Sequence, residues 1–541
     1  MNSVVSTNSV VSTNSPAYGV QDPVLSLMLE KGMITEDEAD KVQAEVNARL
    51  TNMAAAMAAE YAPAQSHWLM STNIKDMELY GDMRVRFEDR EATDPGGFKN
   101  PNPGKHGPKT LPPGSIDLQR LRYALRFGVR GDAYDDFYFG FRLETGSNPR
   151  SPFVTAGTST SGTPYYGPFG KSTSGVDVGQ LYIGWKPESW FDTTLGKIPN
   201  PLYTTPMVWS PSINPEGAAE HLKWDVGPAT FFANFGQFLY ADTNPNSTTP
   251  GYFNLLSTDD GTGSLPFLIA YQGGVDYHFI KQVDLKVAPA LYTYTAFNYG
   301  HSPKNNTSGY TPDFSGIYVG QGSTNGLLGI PAYYNLNNAN GGSPGFDGFF
   351  ANQTGINNLM VLEIPLELNF SLGKVDLQLF GDYAQNLEGA QRATAAYDAS
   401  RSTYFSTINP GIIPIKSAQT HDIHAYQFGL DVSSPGARGL VYGTTAIRHS
   451  WEIKTYWQHV EQYSLDPNLL DLDFFEGVEN LQGVYVACAY AFTGNVIGTF
   501  RFGHAYRINS KLGTGGSGLD IPQMNPINDY ELFQFDLTYK F

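Results

Sequence analysis

From Lys75 onward, apolar and polar residues alternate with a period of two. Across Met77 to Glu88 the odd positions are Met, Leu, Gly, Met, Val and Phe, and the even positions are Glu, Tyr, Asp, Arg, Arg and Glu. Successive strand side chains point to opposite faces, so one face of this segment is greasy and the other strongly charged. Leu121, Tyr123, Leu125, Phe127 and Val129 alternate in the same way with Arg120, Arg122, Arg126 and Arg130. Phe137, Phe139, Phe141 and Leu143 alternate with Tyr138, Arg142 and Glu144. At the far end Phe533, Phe535, Leu537, Tyr539 and Phe541 alternate with Gln534, Asp536, Thr538 and Lys540.

The pattern predicts sixteen strands, over 75–88, 116–131, 134–145, 176–187, 190–199, 218–226, 229–240, 266–279, 282–297, 357–371, 374–387, 421–433, 439–461, 480–492, 495–508 and 529–541. Strands of roughly 9–14 residues cross a bilayer at a tilt, whereas strands of a soluble sandwich run about 5–6. The gaps alternate between long and short. Long ones fall at 89–115, 146–175, 200–217, 241–265, 298–356, 388–420, 462–479 and 509–528, and turns such as Gly227-Pro228 and Ser434 to Ala437 separate them. An outer-membrane barrel has this rhythm, with an even strand number, short periplasmic turns and long external loops. The expected fold is therefore all-β and transmembrane: a sixteen-stranded antiparallel up-and-down barrel over 75–541. Trp185, Trp190 and Phe191 around one short turn fit an interfacial aromatic girdle.

The first part of the chain reads differently. Residues 1–22 are rich in Ser, Asn and Thr and are expected to be disordered. Residues 23–62 predict a short helical hairpin. Pro23 opens the first helix, Gly32 closes it, and Thr35 with Glu38 has capping-box spacing for the second. Val42, Val46, Leu50, Met53 and Met57 mark one apolar face of that second helix. Both ends of a sixteen-stranded barrel lie on the periplasmic side, so this hairpin is expected in the periplasm.

Composition narrows the class. Charged residues are 16%, against about 25% in soluble proteins, yet mean hydropathy is only -0.29. Gly, Tyr, Phe and Pro fill the difference, which excludes a helical bundle, a coiled coil and a disordered polyelectrolyte. No run reaches the roughly 18 apolar residues of a membrane helix, so a membrane location requires a barrel. A net charge of -18 excludes nucleic acid as a natural partner. The single cysteine, Cys488, excludes an intramolecular disulfide and a Cys-based zinc site; with Val484, Val486 and Tyr490 it reads as a small lipid-facing hydrophobe. The first residues show no basic or apolar leader, so export is inferred from the rest of the chain.

The stretch Leu532 to Phe541, with its alternating aromatics, looks like a C-terminal signal read by the outer-membrane assembly machinery. The chain also resembles a putative porin family of outer-membrane barrels with a leading helical segment. The matching pieces are Leu29-Glu30-Lys31-Gly32-Met33-Ile34-Thr35 and Leu79 to Phe87. Asp471-Leu472-Asp473-Phe474 and Glu476-Gly477-Val478-Glu479-Asn480 complete them, and coverage runs nearly end to end. The resemblance implies a passive diffusion channel in the bacterial outer membrane, without naming its solute. By analogy with general porins it implies a homotrimer.

Sixteen strands leave an aqueous lumen whose inward residues set selectivity. Arg84, Arg86, Arg120, Arg122, Arg126, Arg130 and Arg142 fall on the expected inner face of the first three strands. Glu363, Glu367, Asp376, Asp382 and Asp431 fall on the opposite wall. A basic wall facing an acidic one creates a field across the pore that favours small hydrophilic solutes and ions. The alternative is local pairing, as of Arg142 with Glu144, with little effect on selectivity. The third long connection holds Trp209 and Glu216, candidates for an inward constriction or residues of an ordinary loop. A rival reading of the whole is a structural or adhesive barrel occluded by its loops. Gly341 to Gly345 matches GxSxG without the required strand and helix, and the histidines are dispersed, so no enzyme is expected. Asp471, Asp473 and Glu476 lack EF-hand spacing and read as solvated loop charge, so no metal or cofactor is expected.

Overall fold

Sixteen strands pair edge to edge, each antiparallel to its neighbours, and the last pairs with the first. The structure is a computed structural model that describes residues 23–35, 37–42, 44–45, 73–95, 115–146, 150–157, 175–240, 267–295, 358–400, 417–516 and 526–541. The chain divides into two compact units, Met1–Ser71 and Thr72–Phe541.

In the second unit the strands are β1 (Ile74–Thr93), β2 (Ser115–Ala133), β3 (Phe137–Thr145), β4 (Val176–Glu188), β5 (Phe191–Lys197), β6 (Glu216–Val226), β7 (Ala229–Leu239) and β8 (Phe267–Ile280). β9 runs as two pieces, Val283–Val287 and Ala290–Tyr294, interrupted where Pro289 supplies no N–H. There follow β10 (Val361–Ser371), β11 (Asp376–Asn386), β12 (His424–Ser433), β13 (Trp451–Val460), β14 (Leu481–Ala491), β15 (Val496–Arg507) and β16 (Asp529–Lys540). A two-residue piece, Val154–Thr155, pairs with β2 above the end of β3. Closure is continuous: Phe87 sits opposite Leu121 on one side and Phe535 on the other. Gly81 and Phe541 exchange backbone hydrogen bonds of 2.9 and 3.1 Å.

Alternation decides which side chains face out. Leu79, Met83, Val85, Phe87, Leu121, Leu125, Phe127, Phe533, Phe535 and Leu537 are exposed. Their neighbours Asp82, Arg86, Glu88, Arg122, Gln534 and Asp536 are buried. A closed antiparallel barrel with an apolar exterior and a polar interior is the transmembrane arrangement.

Two expectations need correction. The thirteenth strand is Trp451–Val460, not 439–461, and the connection before it spans 434–450 instead of four residues. There, Gly439 and Gly443 take left-handed backbone (φ 91° and 71°) around a 3-10 turn, Leu440–Tyr442. The Glu452 carboxylate accepts from the N–H groups of Gly439 (2.9 Å) and Val441 (2.6 Å), so side-chain bonds replace a ladder. Secondly, β1 and β2 are 20 and 19 residues long, so this wall stands taller than the sequence pattern implied. After β11 the helix α2 (Gly389–Ser400) occupies part of the long connection expected over 388–420.

In the first unit, α1 (Pro23–Glu30) ends at Gly32 (φ 64°), and Met33 N–H closes back on Met28 C=O at 3.0 Å. The Glu38 carboxylate accepts from Thr35 N–H and Thr35 Oγ1 at 2.9 Å each, which forms the capping box and lowers the Glu38 pKa. Residues 1–22, most of the apolar face through Val46, Leu50, Met53 and Met57, the GxSxG match at 341–345, and the loops 241–265 and 298–356 lie outside the described residues.

Candidate functional site

Hydrogen bonds between remote strands of a closed barrel must pass through its interior, and three inward segments supply most of them. The first is 198–215, between β5 and β6. Its Trp209 packs edge-on against Phe238 (6.0 Å between centroids) and tilted against Tyr292 (6.3 Å), and Leu202, Met207 and Val208 are buried around it. Trp209 therefore lies in an inward fold. Glu216 does not: it is the first residue of β6, exposed, and paired with Lys197 at 2.5 Å on the face shared with Leu195 and Trp224. A strand begins at Glu216 because the segment has already returned to the wall at Pro215, whose C=O accepts from Ile198 N–H at 2.9 Å.

The second segment, 461–480, contains the long connection expected over 462–479, whose acids the sequence pattern alone presents as solvated loop charge. It folds in. Tyr463, Leu465, Leu470, Leu472, Phe474 and Phe475 are buried. Phe475, Glu476 and Gly477 follow one another at φ 65°, 58° and 68°, a sharp left-handed bend. Ser210 N–H donates to Leu469 C=O at 2.7 Å and Ser210 Oγ to Asp471 at 3.3 Å, so the two segments hold each other. The Asp466 carboxylate accepts from Tyr294 (2.6 Å) and Tyr240 (3.2 Å), which anchors the segment's start. The third segment is the turn at 437–446. Its Val441 and Tyr442 carbonyls accept from Arg501 (2.8 Å) and Arg84 (3.5 Å).

Each of the seven arginines expected on a basic wall has a carboxylate beside it. Arg84 and Arg126 share Asp82, at 2.7 and 2.8 Å. Arg86 makes two bonds to Asp536 (2.7 and 2.9 Å) and another to Asp473 (2.6 Å). Arg120 and Arg122 meet Glu88, and Arg122 also donates to Phe153 C=O at 3.0 Å. Arg130 pairs with Glu78 at 2.8 Å and Arg142 with Glu144 at 3.1 Å. Arg90 joins Glu476 and Glu88, and Arg501 joins Asp536 at 2.5 Å. These pairs create short-range fields along one wall in place of an unopposed basic face. Asp82, Glu88, Arg90, Asp473, Glu476, Arg501 and Asp536 are the members of these pairs that the sequence pattern did not assign to the wall. Even-position parity in β1 marks Asp82, Glu88 and Arg90, but Arg90 lies beyond the expected strand end, and the loop acids carry no periodic signal.

On the opposite wall the acids hold structure in place. Glu363 is fully buried and accepts from Thr204 Oγ1 (2.6 Å) and Tyr292 OH (2.5 Å), and Asp382 accepts from Thr205 Oγ1. Both therefore grip the first inward segment. Glu367 accepts from Gln378 at 2.7 Å, and Asp431 lies 3.8 Å from Lys454 Nζ. Asp376 accepts from Gly436 N–H at 2.8 Å in the connection 434–450.

Within the second segment, burial and the neighbouring Asp473 push the Asp471 carboxyl up to about 7. Asp473 is partly exposed, and Arg86, Arg501 and Arg90 outweigh its desolvation and hold it well below the usual carboxylate range.

The covering of the wall is uneven. Inward residues of β10 to β16 and the upper part of β1, among them Glu363, Asp382, Tyr456, Tyr485, Asp536 and Arg86, are buried under the inward segments. Toward the short-turn ends of β1 to β8, inward residues such as Tyr80, Arg126, Tyr138, Arg142, Tyr182, Asp192 and Phe232 stay partly exposed and Lys223 is exposed, whereas Arg122, Gln180, Asn234, Phe238 and Gln272, farther from those ends, are buried. The uncovered polar surface runs along those short-turn ends.

The family model described as "Putative porin" matches residues 70–541 of the sequence. No curated protein matches the chain. Among solved structures, OprB of Pseudomonas putida is 11% identical with a TM-score of 0.41, covering 86% of this chain and 94% of that one. A variant of the porin of Rh. blastica is 8% identical with a TM-score of 0.34, covering 86% of this chain and all of that one.

Proposed function

Since the chain belongs to the putative porin family, a family of outer-membrane channels, we propose that it passes small hydrophilic solutes and ions by passive diffusion. One observation carries this reading: partly exposed polar positions toward the short-turn ends of β1 to β8, such as Arg126, Tyr138, Arg142 and Asp192, that the inward segments leave uncovered. Side chains that face a packed core would be buried there, whereas a wet path leaves them accessible. Purified protein in a planar bilayer gives stepwise ohmic conductance on this reading. Properly inserted protein that stays electrically silent would sink it.

The rival reading, a largely occluded structural barrel, draws on the apolar packing of 198–215 and 461–480 inside the lumen. Removing 462–479 and bridging its ends with glycines separates the two. A large rise from near-zero conductance favours occlusion, and a modest rise from an already open state favours a channel.

The remaining features are part of the same proposal. The helical segment at 23–62 lies in the periplasm. The strand through Phe533, Phe535, Leu537, Tyr539 and Phe541 is read by the assembly machinery. The working unit is a homotrimer, and the protein is a channel without enzymatic activity. The outward face of β5 to β7 supports an oligomer, because Thr193, Glu220 and Gln237 interrupt the apolar band there.

A further inference from the structure

On β13 to β16 the outward side chains stand in rows across the strands. Ile453, Cys488, Phe500 and Phe535 form one row. Trp451, Tyr490, Gly498 and Leu537 form the next, nearer the turn at 492–495. Cys488 and Gly498 are the small members of these rows and sit on the neighbouring strands β14 and β15. The wall is low where they stand, and a groove of about 350 Å³ opens among the larger Trp451, Ile453, Tyr490, Phe492, Phe500 and Phe535. Glu452 also borders it, but its carboxylate turns the other way, to the N–H groups of Gly439 and Val441.

Polar groups stand at the turn-side mouth of the groove. His449 N–H donates to Ala491 C=O at 2.7 Å, which fixes His449 beside the end of β14. Arg448 Nε donates to His449 Nε2 at 3.2 Å, so Nδ1 carries the ring proton. Nδ1 donates in turn to the Tyr490 oxygen at 3.1 Å, which leaves the Tyr490 hydroxyl hydrogen free for another acceptor. Arg448 and His449 are exposed. Among the described residues no carboxylate pairs with Arg448, and its terminal nitrogens have no protein partner.

We propose that this groove holds an anionic phospholipid, with one acyl chain along Cys488 and Gly498 and the phosphate on Arg448 and the Tyr490 hydroxyl. Trp and Tyr settle at the headgroup level of a bilayer, so a guanidinium beside Trp451 and Tyr490 meets phosphate while the groove beyond them lies among hydrocarbon. Short turns mark the periplasmic end of an outer-membrane barrel, where the leaflet is made of phospholipid. Lipid tails are as apolar as the groove, so burial alone selects nothing; shape and the headgroup contact do. An unfilled groove would forfeit van der Waals contacts along its lining, and a flexible chain restores them. A cation without an acid beside it favours a headgroup of net negative charge over a zwitterionic one, whose ammonium needs a carboxylate. The rival occupant is a second copy of the chain, but the polar outward face of β5 to β7 that suits an oligomer lies on the opposite side of the closed sheet. The inference does not depend on the channel reading.

The test uses the full-length protein in mild detergent, with dioleoylphosphatidylglycerol and dioleoylphosphatidylethanolamine as competing probes and retained lipid read by native mass spectrometry. The wild type is expected to retain phosphatidylglycerol about fivefold over phosphatidylethanolamine, the order of one cation's pull on an anionic lipid. Arg448→Gln removes that preference and leaves retention of phosphatidylethanolamine unchanged. Cys488→Phe and, separately, Gly498→Leu fill the groove and lower retention of both lipids. Retention unchanged in both filled variants would overturn the groove as the site. Equal retention of the two lipids by the wild type would overturn the anionic headgroup. A wild type without lipid, whose mass falls to a single copy when the groove is filled, would give the groove to a second copy and overturn the lipid.

Discussion

At the scale of single residues, the interior is governed by charge pairing. Arg86 is almost completely buried with two carboxylates, Asp473 and Asp536, so Arg86→Ala leaves both without their shared cation. Breaking a buried pair of this kind costs about 3–5 kcal/mol, and a markedly lower thermal midpoint than wild type is the expected result in detergent. Arg126 is different. It is only partly covered, and its ion pair among the described residues is with Asp82. Arg126→Glu adds an acid beside Asp82 and Glu144 and should shift the reversal potential in a salt gradient toward cation preference. An unchanged reversal potential would show that the current avoids this wall. Alternation made every one of these arginines legible in the sequence, because parity assigns a face. It could not supply their partners. Asp473 and Glu476 lie in a connection, where no periodicity exists, and Asp536 meets Arg86 only because β16 closes on β1.

At the scale of elements, the inward segment 461–480 carries its own titration. Asp471 is raised to about 7, above the roughly 3.9 of an unfolded aspartate, so its folded form favours the proton. Its contribution is fully present below about pH 4 and is lost as pH rises toward 7. Asp473 has the opposite sign: its pairing with Arg86 stabilises above about pH 4 and is lost on acidification. The segment 461–480 is therefore expected to become more protease-sensitive as pH rises from about 4 to 7 and to level off above that. Asp471→Asn should flatten that dependence, and an equally steep profile in the variant would exclude Asp471 as its source. Strand existence was readable from sequence wherever side chains alternate against lipid. It failed at 439–450, where left-handed glycines and the Glu452 carboxylate replace the ladder, and neither leaves a period-two trace. The inward course of 461–480 was unreadable for a related reason. Leu465, Leu470 and Phe474 pack against wall residues remote in sequence, and connection length alone does not separate an insert from an external loop.

At the scale of the whole molecule, the outer surface is not uniform. Around most of the circumference the outward positions are Leu, Phe, Tyr, Val and Ile. On β5 to β7 they include Thr193, Glu220 and Gln237 with the small Ala218 and Ala233. Glu220 is opposite Thr193 and Phe235, between the apolar rows of Trp224 and Leu222 on one side and Leu195 on the other. A carboxylate facing hydrocarbon is costly, so such groups normally face protein or water. Gln237 Nε2 reaches Glu220 at only 3.5 Å, which leaves the carboxylate with room for a further donor. Three copies packed through this face would cover Glu220 with protein, and its alanine and threonine neighbours would allow the close approach that larger side chains forbid. Glu220→Leu should therefore weaken the oligomer while leaving the barrel folded, read as a shift from trimer toward monomer mass in mild detergent with unchanged β-sheet circular dichroism. Trp224→Ala, nearer the short-turn end of the same strand, should leave the mass unchanged. A wild-type mass of one copy under the same conditions would reject the assembly, and an unaltered trimer in the Glu220 variant would move the interface to another part of the wall.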